Sequence, residues 1–382
     1  MSFVQYRLWE SVATPSQGGG EGDTMSGIEA LGIAVLKKIQ RGEPREIAGL
    51  LLANRKRLDQ LAQWYTQERL GVSLYAMTSA CGLVSMWPGN SRQLMEDQYR
   101  QQQTRTNRLL DTLSGIDRAF AKEGIEYQLL KGFPLAVRYY SGVENRFTWD
   151  LDILVQAHAV PEAVKILEGL RLRPPSLSSG MLRSAQWVTH ALECKGDHGV
   201  SVDLHWAFRR LPGVRFPAKD VFNSGTMLEI AGGSYPVPSD EYLLVQLLMS
   251  IAADVDRGRC RWRALWDTFL VIQSFDATQW DSFLDRRTHE GCLGLIAQAF
   301  ALVVHSTGTG EDYEELLRKC AERLGSRREL LGTDAAVHML SRAPGDFRNH
   351  IEFARWQDQP RWRYWGWWGA TLPARAFFAR RL

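Results

Sequence analysis

The sequence predicts an α+β protein in which a small mixed sheet with its own helices sits between two helical regions. Three observations predict it. From Ser26 to Gly124 apolar residues recur at helical spacing with almost no strand signal. After Gly124, short β-rich runs alternate with short helical ones as far as Pro238. Beyond Pro238 helical periodicity returns and continues to about residue 350. At 382 residues the chain exceeds the roughly 250 at which a single core stops growing efficiently, so several domains are expected. They are a flexible tail over 1–25, a helical region over 26–124, an α/β core over 125–240 and a second helical region over 241–382.

Composition narrows the class. An apolar fraction of 45% with 23% charged residues belongs to an ordinary folded protein, not a disordered one. The net charge of +3 is too small to call for a nucleic-acid partner, which is therefore not expected. The five cysteines, Cys81, Cys194, Cys260, Cys292 and Cys320, are scattered without a C-x-x-C pair, which argues against a disulfide framework or a structural zinc site. They read as reduced thiols of a cytoplasmic protein. The N-terminus lacks the pattern of a secretory signal, and no 18-residue apolar run could span a bilayer.

Taken in order, Ser16 to Asp23 is Gly-rich and cannot build a core. The region 26–124 reads as three or four helices broken near Gly42-Glu43-Pro44 and Trp87-Pro88-Gly89-Asn90. In the last helix Met95, Tyr99, Gln102, Thr106, Leu109, Leu113, Ile116 and Phe120 alternate steps of four and three, placing them on one stripe. Ile125 to Leu130 then reads as a strand, Pro134 to Tyr140 as a short helix, Trp149 to Val155 as a strand and Pro161 to Leu170 as a helix. Trp187 to Cys194 is predicted to pair with Val200 to Trp206 through Lys195 to Gly199. Ser239 is a candidate cap for the helix that follows Pro238.

Candidate chemistry gathers in the middle of the chain. Asp150 and Asp152 stand at i and i+2 of a predicted strand, so their carboxylates project from one face. Adjacent carboxylates repel, and a fold tolerates them most readily where a divalent cation neutralises both; the bland alternative is a solvated strand end. In Val200 to Trp206 the residues alternate, with Ser201, Asp203 and His205 on the face opposite Val200, Val202, Leu204 and Trp206. Asp203 is thus a third acid from a neighbouring strand, and three such carboxylates can hold two metal ions. His205 either orients a substrate or satisfies a hydrogen bond. Lys131 and Gly132 end a strand and open a helix, a turn suited to an anion through its charge, close backbone approach and helix N-terminus; a plain tight turn would look the same. Arg146 either reaches a phosphate or is solvated.

The ordered set Leu130-Lys131-Gly132, Tyr139 or Tyr140, Arg146, Asp150-Leu151-Asp152-Ile153-Leu154-Val155 and Val202-Asp203-Leu204-His205-Trp206 resembles the uncharacterised nucleotidyltransferase family of the polymerase-β-like superfamily. The resemblance covers about residues 125–206 and continues more loosely to Ile272. It implies a nucleotidyltransferase core, metal ligation by Asp150 and Asp152 completed by Asp203, and phosphate contact near Lys131 and Gly132. It also implies Mg²⁺ (or Mn²⁺) as cofactor and a nucleoside triphosphate as substrate. The acceptor, a hydroxyl or phosphate on a small molecule, peptide or protein, is not implied. Two departures stand out. The superfamily usually has Gly-Ser where this chain has Gly132-Phe133, and the family's paired histidines are replaced by Ser250 and Asp254, followed by Arg261-Trp262-Arg263 and Asp267.

Two other functions fit the same residues. Asp-x-Asp also serves glycosyltransferases that bind a nucleotide diphosphate through a cation, and a degenerate nucleotidyltransferase fold could act as a scaffold. At the chain's end, Trp356, Trp362, Tyr364, Trp365, Trp367 and Trp368 lie among arginines. The expectation is a strap packed on the protein, with contact to a membrane surface, an acidic partner or a stacked nucleic acid as the competing uses.

Overall fold

The computed structural model describes residues 27–325, apart from 177, 209–213, 216 and 257–259, together with residues 330 and 332. The expected flexible tail over 1–25 and the Trp/Arg-rich end over 356–382 lie outside the described residues.

The N-terminal helical region consists of α1 (Gly27–Gln40), α2 (Pro44–Ala53), α3 (Leu58–Gln67), α4 (Gly71–Ala80) and α5 (Gly89–Lys122). Both expected breaks occur, and a third and fourth at Arg55–Arg57 and near Leu70 raise the helix number above the three or four expected. Helix α5, of 34 residues, spans roughly 50 Å at 1.5 Å per residue. Its stripe is as anticipated: Met95, Gln102, Thr106, Leu109, Leu113, Ile116 and Phe120 are buried, and Tyr99 is half-buried.

The α/β region follows with β1 (Tyr127–Leu130), α6 (Gly132–Tyr139), β2 (Leu151–Val155), α7 (Val160–Gly169), α8 (Ser179–Val188), β3 (Ala191–Lys195) and β4 (Ser201–His205). The sheet order is β1-β2-β4-β3; β1/β2 and β3/β4 are antiparallel and β2/β4 parallel, so the sheet is mixed. The fold is α+β, as predicted. The strand expected from Trp187 is corrected: Trp187 and Val188 end α8, and pairing begins at Ala191. Ser178 caps that helix, its hydroxyl accepting from Met181 N at 3.3 Å. β2 likewise starts at Leu151, leaving Asp150 in a bend at its lip.

A short helix α9 (Ala218–Asn223) leads to a hairpin that the sequence reading did not anticipate, β5 (Thr226–Ile230) and β6 (Gly233–Val237). Its turn residues, Ala231 and Gly232, both have positive φ, 50° and 83°, which matches the twist of a two-residue hairpin. Helices α10 (Asp240–Asp256), α11 (Trp262–Ile272), α12 (Ala277–Glu290), α13 (Leu293–Ser306) and α14 (Glu314–Leu324) complete the described chain. None of the described helices is long and apolar enough to cross a membrane.

Two cores organise these elements. One joins the two helical regions, with Leu36, Leu61, Trp64 and Met95 packed among Leu248, Trp266, Phe269 and Phe300. Trp64 meets Trp262 edge-on at 6.0 Å, and Glu68 accepts the Trp262 amide at 2.8 Å. The other lies under the sheet, where Leu109, Leu113, Ile116 and Phe120 of α5 meet Leu129, Ile153, Val202 and Leu204. Helix α5 therefore ties the sheet to the helical body. Its buried Gln102 donates to the Thr148 carbonyl at 3.1 Å, bracing the segment that leads to Asp150.

Candidate functional site

Strand pairing brings the charged residues together. Leu130 is the Cα partner of Asp152 across β1/β2, and Asp152 is the partner of Asp203 across β2/β4. Lys131 Nζ consequently reaches Asp152 Oδ1 at 3.2 Å. His205, two residues beyond Asp203 on the same face of β4, places Nε2 2.8 Å from the same oxygen. Donor atoms of Asp152, Asp203 and His205 all lie within 4.8 Å of one another.

Electrostatics divide the three acids. Burial would raise Asp152, yet Lys131 and the His205 hydrogen bond hold its carboxyl well below the usual range. Burial pushes Asp150 up to about 6, with the Asp152 charge adding to it while Lys131, Arg263 and Arg146 oppose. Asp203 is driven well above the ordinary carboxylate range by burial, then by Asp150 and Asp152. Burial works to lower Lys131, but Asp152, Asp150 and Asp203 outweigh it and hold it high. His205 is lowered, chiefly by burial. An ionised Asp152 can only accept, so the neutral imidazole donates from Nε2 and directs its Nδ1 lone pair elsewhere. Nδ1 is buried and makes no hydrogen bond among the described residues.

This donor set fits a divalent cation. Two carboxylates supply hard oxygens, and His205 offers a ring nitrogen within 4.8 Å of them, a donor of a kind that suits Mn²⁺ as well. The acids' mutual repulsion is of the kind a cation relieves. His205 thus stands in the three-residue group that can hold a metal, whereas the sequence reading put it with the nucleotide contacts.

The turn at Lys131 and Gly132 is tightly built. Lys131 has φ 41° and ψ −114°, a left-handed conformation that L-residues rarely adopt. A Cβ at Gly132 would stand 3.0 Å from Thr148 Cγ2, so the glycine lets α6 start against the Asp150 segment. Phe133, where the superfamily usually has serine, is 1% exposed and belongs to the core under the sheet.

Arg146 is not the solvated side chain that was one of its two sequence readings. It is 5% exposed and forms a two-pronged pair with Asp267 of α11, Nε–Oδ1 3.0 Å and Nη2–Oδ2 2.6 Å. Its Nη1 donates to the carbonyls of Gly132 and Phe147 and to Thr148 Oγ1, each at 3.4 Å. Asp267 also accepts the Tyr140 hydroxyl at 2.6 Å. Burial is tolerated because the opposite charge and these acceptors satisfy the guanidinium. The network links α11 to both the Gly132 turn and the approach to Asp150.

Beside Asp150 the fold assembles a feature the sequence reading missed. Phe147 and Trp149 stack with centroids 6.2 Å apart and planes 16° from parallel. Arg105 of α5 sits 3.6 Å from the Trp149 centroid. Arg69, which follows α3, lies 5.1 Å from Phe147 and 5.9 Å from Trp149, and Arg263 of α11 lies 5.5 Å from Phe147. The helical regions therefore contribute to the surroundings of the acids. The aromatic-x-aromatic pair just before Asp-x-Asp was a local signal; the arginines come from three distant positions.

Among solved structures, the chain is similar to the antibiotic-resistance factor ANT(2'')-Ia at 14% identity, covering 46% of this chain and 90% of that one, with a TM-score of 0.34. It is also similar to an antigenic nucleotidyltransferase-like protein from Paracoccidioides brasiliensis at 18% identity, covering 55% and 92%, with a TM-score of 0.36. No curated protein matches the chain. The description of one family, "Uncharacterised nucleotidyltransferase", matches residues 54–308, a span that takes in the sheet, its acids and the helices on both sides, and the chain belongs to that family.

Proposed function

We propose that this protein transfers a nucleotidyl group from a nucleoside triphosphate to a hydroxyl or phosphate of an acceptor, with Asp150, Asp152 and Asp203 as the acids of a metal-dependent site. The observation that carries the reading is the register of Asp152 with Asp203 across the parallel β2/β4 pair, in a chain of this family. Asp152, held ionised by Lys131 and His205, is the anchor for Mg²⁺ or Mn²⁺, and His205 belongs to the group of donors close enough together to share the ion. A divalent cation there would neutralise phosphate charge and lower the pKa of an attacking hydroxyl. Asp203, whose raised pKa makes it the readiest proton acceptor of the three, would take the acceptor's proton once ionised. Lys131 and the Gly132 turn hold Asp152 and the Asp150 segment in place, and Arg146 positions both through Asp267. The organisation proposed is a catalytic unit over 125–240 with helical regions at 26–124 and 241–382.

The test is a screen of the four nucleoside triphosphates with Mg²⁺, with released pyrophosphate as the readout. Turnover that Asp203→Asn abolishes supports the proposal. If neither Mg²⁺–nucleotide nor Mn²⁺–nucleotide-sugar binds, and Asp150→Asn behaves like the native protein throughout, the enzymatic reading is wrong. A scaffold function is the second reading, favoured by Phe133, which carries no hydroxyl and is sealed in the core. Nucleotide binding without turnover would place it first.

A further inference from the structure

We propose that Arg69, Arg105 and Arg263, held over the Phe147–Trp149 ring pair, form a phosphoanion-binding rim beside Asp150, and that this rim takes the polyphosphate tail of the nucleotide. The identity of the anion rests on the nucleotidyl-transfer reading; the existence of the rim does not.

The groups that the sequence offered to phosphate are committed elsewhere. Lys131 is paired with Asp152, Arg146 with Asp267, and Phe133 has no hydroxyl. A polyphosphate still needs cations near the acids, because its oxygens carry more charge than one metal ion offsets. Asp150 feels Lys131, Arg263 and Arg146, and Arg105 in turn feels Asp150, so two guanidinium groups of the rim lie within electrostatic reach of the site. Among the described residues neither Arg105 nor Arg263 forms an ion pair with a carboxylate. Arg263 donates Nη1 to the Phe147 carbonyl at 2.7 Å, while its Nε is buried and makes no hydrogen bond among the described residues.

The rings explain how like charges are kept together. Guanidinium planes stack on aromatic faces, which fixes their direction while their N–H edges remain able to donate to an anion. Arg105 and Arg263 are both shifted downward, first by burial and then by another arginine, Arg108 and Arg146 respectively, with Asp150 opposing on both and Asp267 on Arg263, so each guanidinium carries a cost of burial and like charge. An anion would relieve it. Each arginine comes from a different part of the chain, the turn after α3, the middle of α5 and the start of α11, so the rim exists only in the folded chain.

Calorimetric titration of the full-length protein with inorganic tripolyphosphate, without divalent metal, tests the rim apart from the acids. Native protein is expected to bind tripolyphosphate at least 10-fold more tightly than orthophosphate. Arg105→Gln, which removes no hydrogen bond among the described residues, should weaken tripolyphosphate binding 10-fold or more, and Arg105→Lys should recover part of the loss. Arg100→Gln, an exposed change of equal charge on α5, should leave it within 2-fold, and Asp203→Asn should not weaken it. Native-like affinity in both Arg105→Gln and Arg263→Gln would reduce the rim to a structural stack and overturn the proposal. Equal, rim-dependent affinity for orthophosphate and tripolyphosphate would assign it to a single phosphate group, such as an acceptor's, and would overturn the polyphosphate assignment. Rim-dependent tripolyphosphate binding with no nucleotide turnover would sustain the rim while the transfer reading fails.

Discussion

Asp152 and Asp203 are register partners on adjacent parallel strands, yet their surroundings drive them in opposite directions. Asp152 is matched by Lys131 at 3.2 Å and His205 at 2.8 Å and stays ionised. Asp203 meets burial and the charges of Asp150 and Asp152, and resists ionisation. A fold that keeps one carboxylate charged and suppresses the next has an apo site under electrostatic strain, which bears on stability as well as chemistry.

The two residues should therefore respond oppositely to amidation. Asp203→Asn removes a carboxyl that costs stability above its unfolded pKa and is expected to raise the melting temperature of the metal-free protein at pH 7. Asp152→Asn leaves Lys131 without its carboxylate and is expected to lower it. Both should abolish turnover, with a loss of at least about 10²-fold for removal of one charge-stabilising group. Thermal unfolding of the two variants checks the contrast, and equal shifts of the same sign would count against the assigned charge states.

Asp150 gives a pH signature. Its folded pKa of about 6 lies above the ordinary value of 3.8, so the native state holds a proton that the unfolded chain has released between those limits. Its contribution to stability falls as pH rises from about 4 to 6 and is constant above that. His205, lowered by burial, acts in the opposite sense near its ordinary 6.5, so the whole-protein curve mixes the two. The difference between Asp150→Asn and native protein isolates the carboxylate. The variant should melt with the native protein near pH 3.5 and progressively above it up to pH 6; a difference independent of pH would refute the assignment.

Arg146 and Asp267, 5% and 3% exposed as side chains, form the pair whose loss should be felt furthest. Asp267→Ala leaves a buried guanidinium uncompensated and is expected to cost about 3–5 kcal/mol in denaturant unfolding. Asp267→Asn keeps the shape and should cost less. Because Arg146 also holds the Gly132 and Phe147 carbonyls, metal affinity should weaken in both variants even where the fold survives. Unchanged metal affinity in a folded Asp267→Asn protein would argue against a positioning role.

What could be read from the sequence was what is periodic or contiguous. The α5 stripe, the strand of Asp203 and the turn at Lys131 are local patterns, and each appears where its spacing placed it, whereas the strand of Asp152 begins at Leu151 and leaves Asp150 outside. Trp187 misled because β-forming side chains can equally end an exposed helix; it is 81% exposed on α8. The β5/β6 hairpin carries its signal in Ala231-Gly232-Gly233, a turn without strongly alternating strands on either side. Arg146 with Asp267, and Arg105 with Trp149, join residues far apart in the chain. Such pairings follow from how the helical regions pack, which no single window of sequence contains.

The same limit applies to Phe133, the position at which this chain departs from the Gly-Ser pattern. Restoring the serine would look, from sequence, like restoring a phosphate contact. In the structure Phe133 is 1% exposed and packs with the core residues beneath the sheet, so Phe133→Ser removes a large buried side chain and leaves a hydroxyl in apolar surroundings. Truncations of this size cost about 3–5 kcal/mol before the buried hydroxyl is counted. The variant should unfold at markedly lower denaturant concentration and should bind tripolyphosphate no more tightly than native protein. A Phe133→Ser protein of native stability with tighter tripolyphosphate binding would mean that the α6 N-terminus, and not the arginine rim, is where the phosphate is held.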